Sequence, residues 1–278
     1  MKSGVARIAG VAVALVVVGA GPVKAQEDEP RGIGAQLAAD FRYSANNLEA
    51  DGEDFVFSPL YAGDLLQKRE FYLGALGVGL ALGAGFALDR PVHDHAKNMG
   101  YNLAKGLQSG GEIALFGATG ALYAYGLYTD DSRAREYMIT TLESAALSAL
   151  VTSGMKRVFG RERPNHTNDP FNFFQGGNSF PSGDTTPAFA LAAGISEYGE
   201  NRWYYAVPAY GAATAVGLGR MGKDAHWLSD VVGSALLGVG TTELMLYLHR
   251  QHGKDPARYR VFPVASGDAV GIGVAFEW

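Results

Sequence analysis

The chain has 278 residues, of which 47% are hydrophobic and 18% are charged, and it contains no cysteine. This length suits one domain with a sizeable core, and the absence of cysteine excludes disulfides as a source of its stability. The formal net charge of −5 argues against a nucleic-acid partner, because proteins that bind DNA or RNA usually present a basic surface.

The first 25 residues have the pattern of a secretory signal peptide. Lys2 and Arg7 give a basic start, residues 8–21 are an apolar run, and residues 23–25 match a small-residue cleavage site. We therefore expect cleavage before Gln26 and an exported protein in the periplasm or cell envelope. The alternative is an uncleaved membrane anchor, for which the apolar run is short. Cleavage would change the net charge from −5 to −8, because residues 1–25 hold three basic and no acidic residues.

The rest of the chain divides by pattern into three parts. Residues 26–60 are polar and mixed, and they are predicted to form an extended N-terminal segment with one short strand at 54–57. Residues 61–252 are predicted to form a helical domain. It contains six apolar stretches of helix length separated by Gly, Pro and Asp, namely 71–88, 111–128, 137–155, 185–199, 203–219 and 229–249. The predicted fold class is therefore all-α, a helical bundle of about six core helices.

The pattern changes again in residues 253–278. Residues 260–264 and 270–278 flank an Ala-Ser-Gly-Asp turn, and the second stretch alternates apolar residues at a period of two. This predicts a short C-terminal β-hairpin packed on the bundle. A last strand that ends in an aromatic residue is also typical of outer-membrane barrels, but one hairpin cannot close a barrel.

Six apolar helices raise the question of whether they cross a membrane. The mean hydropathy is +0.00, which is low for a chain mostly buried in lipid. Glu143 and Glu243 also fall in the middle of their segments, where a charged side chain in lipid costs roughly 2.5–3.5 kcal/mol. The Gly- and Ala-rich faces, in contrast, suit close helix packing in a membrane. We expect an exported bundle, soluble or membrane-associated, in preference to a set of membrane-spanning helices.

The first of three polar clusters runs from Lys156 to Pro164. Lys156 and Arg163 are seven residues apart, which is two turns of a helix, so the spacing predicts that both cations face one side. A lysine acting as a point charge and an arginine acting as a bidentate fork suit a phosphate group. Taken alone, the cluster is more typical of a solvated basic helix end.

The second cluster runs from Ser179 to Asp184 and precedes an apolar run. Its proline and glycine predict a tight turn that leads into a helix, whose N-terminus offers unpaired N–H groups and a partial positive charge to an anion. Ser182 can add a hydroxyl, and Gly183 lets the backbone approach a ligand closely. The alternative is ordinary N-capping by Ser182, Asp184 or Thr186.

The third cluster runs from Arg220 to Asp230. His226 and Asp230 are four residues apart, which predicts that they lie together on one helical face. A carboxylate placed there can hold one imidazole nitrogen as N–H and leave the lone pair of the other nitrogen for an electrophile. The alternative is a packing histidine beside Trp227.

In this order the three clusters read Lys-x6-Arg-Pro, Pro-Ser-Gly and Arg-x5-His-x3-Asp. The set resembles the motifs of the type 2 phosphatidic acid phosphatase and vanadium haloperoxidase superfamily, over about residues 70–250. The resemblance implies an all-helical core whose motifs meet around one phosphate or vanadate. It also implies a phosphatase that hydrolyses phosphate monoesters, lipid or small and soluble, through a phosphohistidine and without a metal or another cofactor.

The resemblance assigns roles to individual residues. It implies that His226 is the nucleophile and that Asp230 orients it. The residues that it implies for binding the phosphoryl oxygens are Lys156, Arg163 and Arg220, with Ser182 and Gly183 assisting.

The sequence departs from the family pattern in two places. The second motif normally ends in a histidine that protonates the leaving oxygen, and here Asp184 stands in that place. The third motif normally opens with Ser-Arg, and here Gly219 precedes Arg220, which removes one phosphate contact. If Asp184 serves as the acid, we expect the enzyme to work best at low pH and on esters whose leaving groups need little protonation.

Two other functions remain open at this point. A non-catalytic envelope protein that binds phosphate-bearing ligands would also keep the cations without the usual acid. A vanadate-dependent haloperoxidase is less favoured, because the chain is short and the histidine of the second motif is missing. The residues His93, Asp94 and His95 are of metal-ligating types, but without a third partner such neighbours rarely converge, so no metal site is predicted there. The pattern carries no signal for an oligomeric state.

Overall fold

The computed structural model describes residues 32–47, 69–252, 259–266 and 269–276. The predicted signal peptide and the predicted strand at 54–57 lie outside these ranges. Within them the chain forms seven α-helices and two strands. The helices are α1 (33–47), α2 (Arg69–Ala96), α3 (Tyr101–Thr129), α4 (Ser132–Phe159), α5 (Thr185–Tyr198), α6 (Trp203–Gly222) and α7 (Leu228–His252).

The all-α class is confirmed, and each of the six predicted apolar stretches lies in a helix. The largest difference in their bounds is at α3, which begins at Tyr101, ten residues before the predicted start at 111. This first part of α3 is mixed in composition, with Lys105 and Gln108 among its residues, so the apolar pattern starts later than the helix does.

Helix α1 corrects the prediction of an extended segment over residues 26–60. Its inward face is polar: Asp40 accepts hydrogen bonds from Nε of Arg135 at 3.0 Å and from the hydroxyl of Tyr123 at 2.8 Å. Its apolar residues Ile33 and Phe41 are exposed instead. Since the buried face is not the apolar face, the usual pattern of an amphipathic helix gives no signal here.

Helix α5 is central to the bundle and packs against α3, α4, α6 and α7. Its core residue Leu191 lies with Leu115 of α3 and Val216 of α6 in one buried cluster that is otherwise rich in alanine. Small residues allow the helices to come close. A Cβ atom on Gly238 of α7, for example, would lie 2.3 Å from the carbonyl oxygen of Thr186 in α5.

Two strands follow the helices in the region predicted to form a hairpin. Strands β1 (Tyr259–Ser266) and β2 (Ala269–Phe276) pair antiparallel, with Tyr259 opposite Phe276. The packing of this pair on the bundle stays a prediction.

Two stretches are long and apolar enough to cross a membrane by length and composition, Phe71–Met99 and Leu228–Arg250. Only 6% of the apolar window of the first is buried inside the protein, compared with 44% of the second. A helix in the core of a soluble protein also meets this test, but such a helix is mostly buried. The exposed apolar surface of Phe71–Met99 therefore favours contact with lipid.

Candidate active site

The three polar clusters meet where α4 and α6 end and where α5 and α7 begin. Lys156 lies in the last turn of α4, and Arg220 lies in the last turn of α6. Asp184 immediately precedes α5, and His226 lies two residues before the start of α7. The loops that join these helix ends carry the remaining residues of the site.

Lys156 and Arg163 come together in a different way from the one predicted. Helix α4 ends at Phe159, and Gly160 takes the left-handed conformation with φ of 50°, so Arg163 lies in the following loop and not on a second turn of the helix. Asn178 joins the two cations. Its carbonyl oxygen accepts from Nζ of Lys156 at 2.6 Å, and its side-chain oxygen accepts from Nε of Arg163 at 2.8 Å.

The three cations, two from the first motif and one from the third, are close enough to affect one another. Burial lowers the pKa of Lys156 to about 8, and the charges of Arg163 and Arg220 contribute to this shift. Burial, and then the charge of Arg220, also lowers the pKa of Arg163. The neighbouring cations repel one another, and an anion bound among them would relieve this repulsion. The cluster is therefore a favourable site for an anion. Gly183 adjoins this cluster, since a Cβ atom on it would lie 3.5 Å from Cε of Lys156.

The second motif forms the predicted turn before a helix, but its side chains are engaged in specific ways. The hydroxyl of Ser182 is fully buried and lies 2.9 Å from the hydroxyl of Thr185, while the N–H of Ser182 donates to Oγ of Ser234 at 2.7 Å. Asp184 occupies the N-cap position of α5 without making a capping hydrogen bond. Its Oδ2 instead lies 3.0 Å from Nη1 of Arg220.

A polar chain on the side of α3 reaches Asp184. Nε2 of Gln108 lies within donor distance of Oδ2 of Asp184, at 3.3 Å, and of Oε1 of Glu112, at 2.8 Å. The carbonyl oxygen of the Gln108 side chain accepts from Nζ of Lys223 at 2.7 Å. Sequence reasoning missed Gln108 and Asn178, because neither belongs to a charged or nucleophilic class. Asn178 directly precedes the second motif, and this position was the one available signal.

His226 and Asp230 are neighbours, but not on one helical face as predicted. His226 lies outside α7, and Asp230 lies in the first turn. Oδ2 of Asp230 accepts the backbone N–H of Trp227 at 2.8 Å, as the third residue of a helix does in a capping box. This contact folds the chain so that Nδ1 of His226 lies 3.4 Å from the same oxygen, which is long for a hydrogen bond.

The surroundings of His226 favour a neutral imidazole. The ring is almost completely buried, and burial is the main reason that the pKa of His226 is lowered. The cations Lys156 and Arg220 lower this pKa further, while Asp230 opposes them. Because Nδ1 faces Asp230, Nε2 is the nitrogen that remains for an electrophile. A neutral ring with a free lone pair is the form that a nucleophilic histidine needs.

A cleft begins beside Asp184. It has a volume of about 210 Å³ and is lined by Gly183, Asp184 and Glu112 together with apolar residues of α3 and α5, including Leu115. Leu115 also lines a second apolar cleft of about 370 Å³ between α3, α5 and α6. The two clefts therefore share one wall residue and lie along the same side of α3.

The histidines of α2 do not gather ligands for a metal. Nε2 of His93 lies 2.5 Å from Oδ1 of Asp224, and Nδ1 of His95 lies 2.6 Å from the carbonyl oxygen of Pro91. In the part of the chain that the structure describes, no group of three or more His, Asp or Glu side chains is placed to hold a metal ion.

Comparison with known proteins agrees with the motifs. Residues 137–254 match the family model of the PAP2 superfamily. Lipid A 1-phosphatase of Porphyromonas gingivalis is 35% identical to the chain over 119 residues, which are 42% of this chain and 25% of that protein. The chain thus matches about a quarter of the length of that relative. No solved structure matches the chain.

The matched segment contains all three motifs, most of α4 and the helices α5 to α7. The PAP2 superfamily, whose model matches residues 137–254, is the family that the motifs resemble.

Proposed function

We propose that the protein is a phosphatase that hydrolyses phosphate monoesters through a phosphohistidine formed on His226. The observation that carries this proposal is the convergence of three cations, Lys156, Arg163 and Arg220, beside a buried neutral histidine. Cations alone would support binding. A histidine whose Nδ1 faces a carboxylate and whose Nε2 is free adds a nucleophile, and together they support phosphoryl transfer.

The reaction has two steps in this proposal. In the first, Nε2 of His226 attacks phosphorus, the bond from phosphorus to the ester oxygen breaks, and the alcohol leaves with a proton from an acid. In the second, water gives a proton back to the deprotonated acid while its oxygen attacks the phosphohistidine, the bond from phosphorus to nitrogen breaks, and phosphate is released. The three cations stabilise the negative charge on the phosphoryl oxygens in both steps. Asp230 keeps the imidazole oriented and favours the N–H form of Nδ1.

Asp184 is the proposed acid for the first step. It stands at the end of the second motif, next to Gly183, and its Oδ2 contacts Arg220 at 3.0 Å. Arg220 is also a proposed phosphate ligand, so Asp184 directly contacts a side chain that would bind the reacting phosphate. Since an aspartic acid takes the place of the usual histidine, we expect a low pH optimum and fast turnover only for good leaving groups.

The substrate is proposed to be a lipid phosphate. A curated relative of this segment is named lipid A 1-phosphatase. Two clefts lie along α3, the first beginning at Gly183 and Asp184 and the second lined by apolar residues, and together they offer space to an acyl chain on the leaving-group side. A small soluble ester would leave these clefts unfilled. The bundle would act in the cell envelope after export, with the apolar face of α2 against the membrane.

Turnover of an aryl phosphate and of a lipid phosphate tests the proposal. We expect inorganic phosphate release from both, and we expect His226→Ala to abolish it while Lys223→Ala, in the same loop, leaves most of it. The covalent intermediate can be trapped by denaturing the protein during turnover and then treated with mild acid. A phosphate on histidine is released by mild acid and one on serine is not, so a bond that survives the acid would contradict a phosphohistidine. If His226→Ala hydrolyses as fast as the wild-type protein, the proposal is wrong, and binding without turnover at any pH would favour the binding protein.

A further inference from the structure

Arg161 lies in the first motif between Lys156 and Arg163, yet it points away from the cation cluster and is fully buried. All three of its guanidinium nitrogens are used. Nε and Nη2 donate to the carbonyl oxygen of Pro170 at 2.9 and 2.6 Å, Nη2 also donates to Oδ2 of Asp89 at 2.7 Å, and Nη1 donates to Oδ1 of Asp230 at 2.5 Å. The group therefore joins a carboxylate of α2 to a carboxylate of α7.

Aromatic rings hold the guanidinium in place. Its central carbon lies 5.2 Å from the ring centre of Phe86, 5.0 Å from that of Phe173 and 5.7 Å from that of Trp227. Such contacts with a planar cation are favourable, and here they exclude water from its ion pairs. The position of Arg161 is thus set by packing as well as by hydrogen bonds.

The two oxygens of Asp230 have different partners. Oδ1 accepts from Arg161. Oδ2 accepts from the hydroxyl of Ser179 at 2.5 Å and from the N–H of Trp227 at 2.8 Å, and it is the oxygen that faces Nδ1 of His226 at 3.4 Å. Because Arg161 occupies Oδ1, the carboxylate cannot rotate without losing an ion pair, and Oδ2 stays directed at the histidine.

Asp89 completes the arrangement from the other side. Its Oδ1 accepts the backbone N–H of Ser229 at 2.7 Å and its Oδ2 accepts the hydroxyl of Ser229 at 2.7 Å, so it holds the first turn of α7. The side chains of Arg161, Asp89 and Asp230 are all fully buried. One cation between two carboxylates at this depth is costly to disturb, because removal of one member leaves a charge without compensation.

We propose that Arg161, held by Asp89, is a positioning residue for the nucleophile and acts on His226 through Asp230. This inference rests on the proposed function, in which His226 attacks phosphorus. Arg161 contacts neither the phosphate cations nor His226 itself. Its loss should slow the chemical step and leave phosphate binding intact.

Arg161→Lys is the main test, because a lysine keeps the positive charge but cannot bridge two carboxylates as a guanidinium does. With an aryl phosphate as substrate, we expect kcat to fall by about 10- to 100-fold, the range found when residues that hydrogen-bond to and orient metal ligands are removed. The KM and the inhibition constant of inorganic phosphate should change by less than about threefold, since the cation cluster is untouched.

A double-mutant cycle separates positioning from general loss of structure. Asp230→Asn lowers kcat in the proposed mechanism, and Arg161→Lys should add less than about twofold to that loss, because the two residues act on one step. A matched control is Arg135→Lys, which alters another buried arginine that pairs with an aspartate, Asp40, at 3.0 Å. The control should destabilise the fold to a similar degree and leave kcat within about twofold.

The possible outcomes are distinct. Additive losses in the cycle, or an unchanged kcat in Arg161→Lys, would overturn the proposal. If Arg161→Lys does not fold, Asp89→Asn is measured in its place. A kcat that falls by about tenfold with an unchanged KM would support the proposal. An unchanged kcat would overturn it. A wild-type protein without turnover, or a His226→Ala variant with full activity, would instead contradict the proposed function.

Discussion

Lys156 gives the site a pH dependence that can be derived from its surroundings. Its pKa is lowered to about 8, chiefly by burial, so in the free enzyme the ammonium is present below pH 8 and is lost as the pH rises through that value. Phosphate monoesters are dianions in this range, because their second ionisation has a pKa near 6. For p-nitrophenyl phosphate, whose leaving group needs no proton from Asp184, we predict that kcat/KM falls by about tenfold per pH unit above pH 8, since this ratio reports ionisations of the free enzyme.

Lys156→Arg tests this assignment, because a guanidinium stays charged at every accessible pH. The alkaline fall should disappear or move up by more than one pH unit, while activity at pH 7 decreases only by the cost of the altered geometry. The measurement is a profile of kcat/KM from pH 6 to pH 10. An unchanged alkaline limb would assign that limb to another group.

Asp184 stands where the PAP2-type motif normally has a histidine, and its role as an acid can be tested with leaving groups that differ in their need for a proton. We predict that Asp184→Asn lowers kcat by about 100-fold for an alkyl phosphate, the lower end of what general acids contribute, and by less than tenfold for p-nitrophenyl phosphate. The reason is that a nitrophenolate leaves without a proton. Asp184→His should move the optimum towards neutral pH. Equal losses for both esters would show that Asp184 holds Arg220 and donates no proton.

Residues of the site were predictable by type but not by geometry. The motif spacing brought Lys156 and Arg163 to one place, although through Asn178 and a loop and not through two turns of helix. His226 likewise lies next to Asp230 because the side chain of Asp230 caps the start of α7, and not because the two residues share one helical face. Asp89 could not be found, because it lies more than 70 residues before Arg161 and belongs to no motif. Contacts of that separation are set by the fold as a whole.

At the scale of elements, the small residues of the bundle decide how closely helices pack. On α7, a Cβ atom on Gly238 would lie 2.3 Å from a backbone oxygen of α5, whereas a Cβ atom on Gly240 would meet nothing within 4 Å. We predict that Gly238→Ala destabilises the fold by about 1–3 kcal/mol through overpacking. Gly240→Ala should stabilise it by about 0.5–1 kcal/mol through helix propensity.

The two variants share one helix and one chemical change, so each controls the other. Thermal unfolding followed by circular dichroism in one buffer or detergent measures both. Equal effects of the same sign would mean that α5 and α7 do not approach at Gly238.

The apolar stretches predicted where the core helices lie, but not which face each helix buries. Helix α4 shows this, because Thr141, Ser144 and Ser148 are buried while Leu150 and Val158 are exposed. The hydroxyl groups of the buried residues donate to carbonyl oxygens one turn earlier in the helix, as that of Ser144 does to Thr140 at 2.7 Å. Polar faces inside and apolar faces outside suit a lipid environment. This pattern favours the membrane-associated form of the expected exported bundle.

At the scale of the whole molecule, the proposed function combines the site, the two clefts and the exposed apolar face of α2 into one arrangement for a substrate held at a membrane. Phosphate would bind among the helix ends, and an acyl chain would follow α3 from Asp184 past Leu115. Such an arrangement would distinguish the proposed lipid phosphatase from a phosphatase of small soluble esters. The difference can be tested on α3 without touching the catalytic residues.

Ala114 lines the second cleft and is exposed, so a larger side chain can fill the cleft there without entering the core. We predict that Ala114→Trp raises KM for a lipid phosphate presented in mixed micelles by about 10-fold or more and leaves kcat/KM for p-nitrophenyl phosphate within twofold. An indole fills space that a chain of several methylene groups would occupy, each worth about 0.8 kcal/mol of burial. Ala124→Trp, on an exposed part of the same helix that does not line this cleft, is the matched control and should affect neither substrate. Equal KM values for the lipid in the two variants would place the acyl chain elsewhere, and the clefts would then have no part in substrate choice.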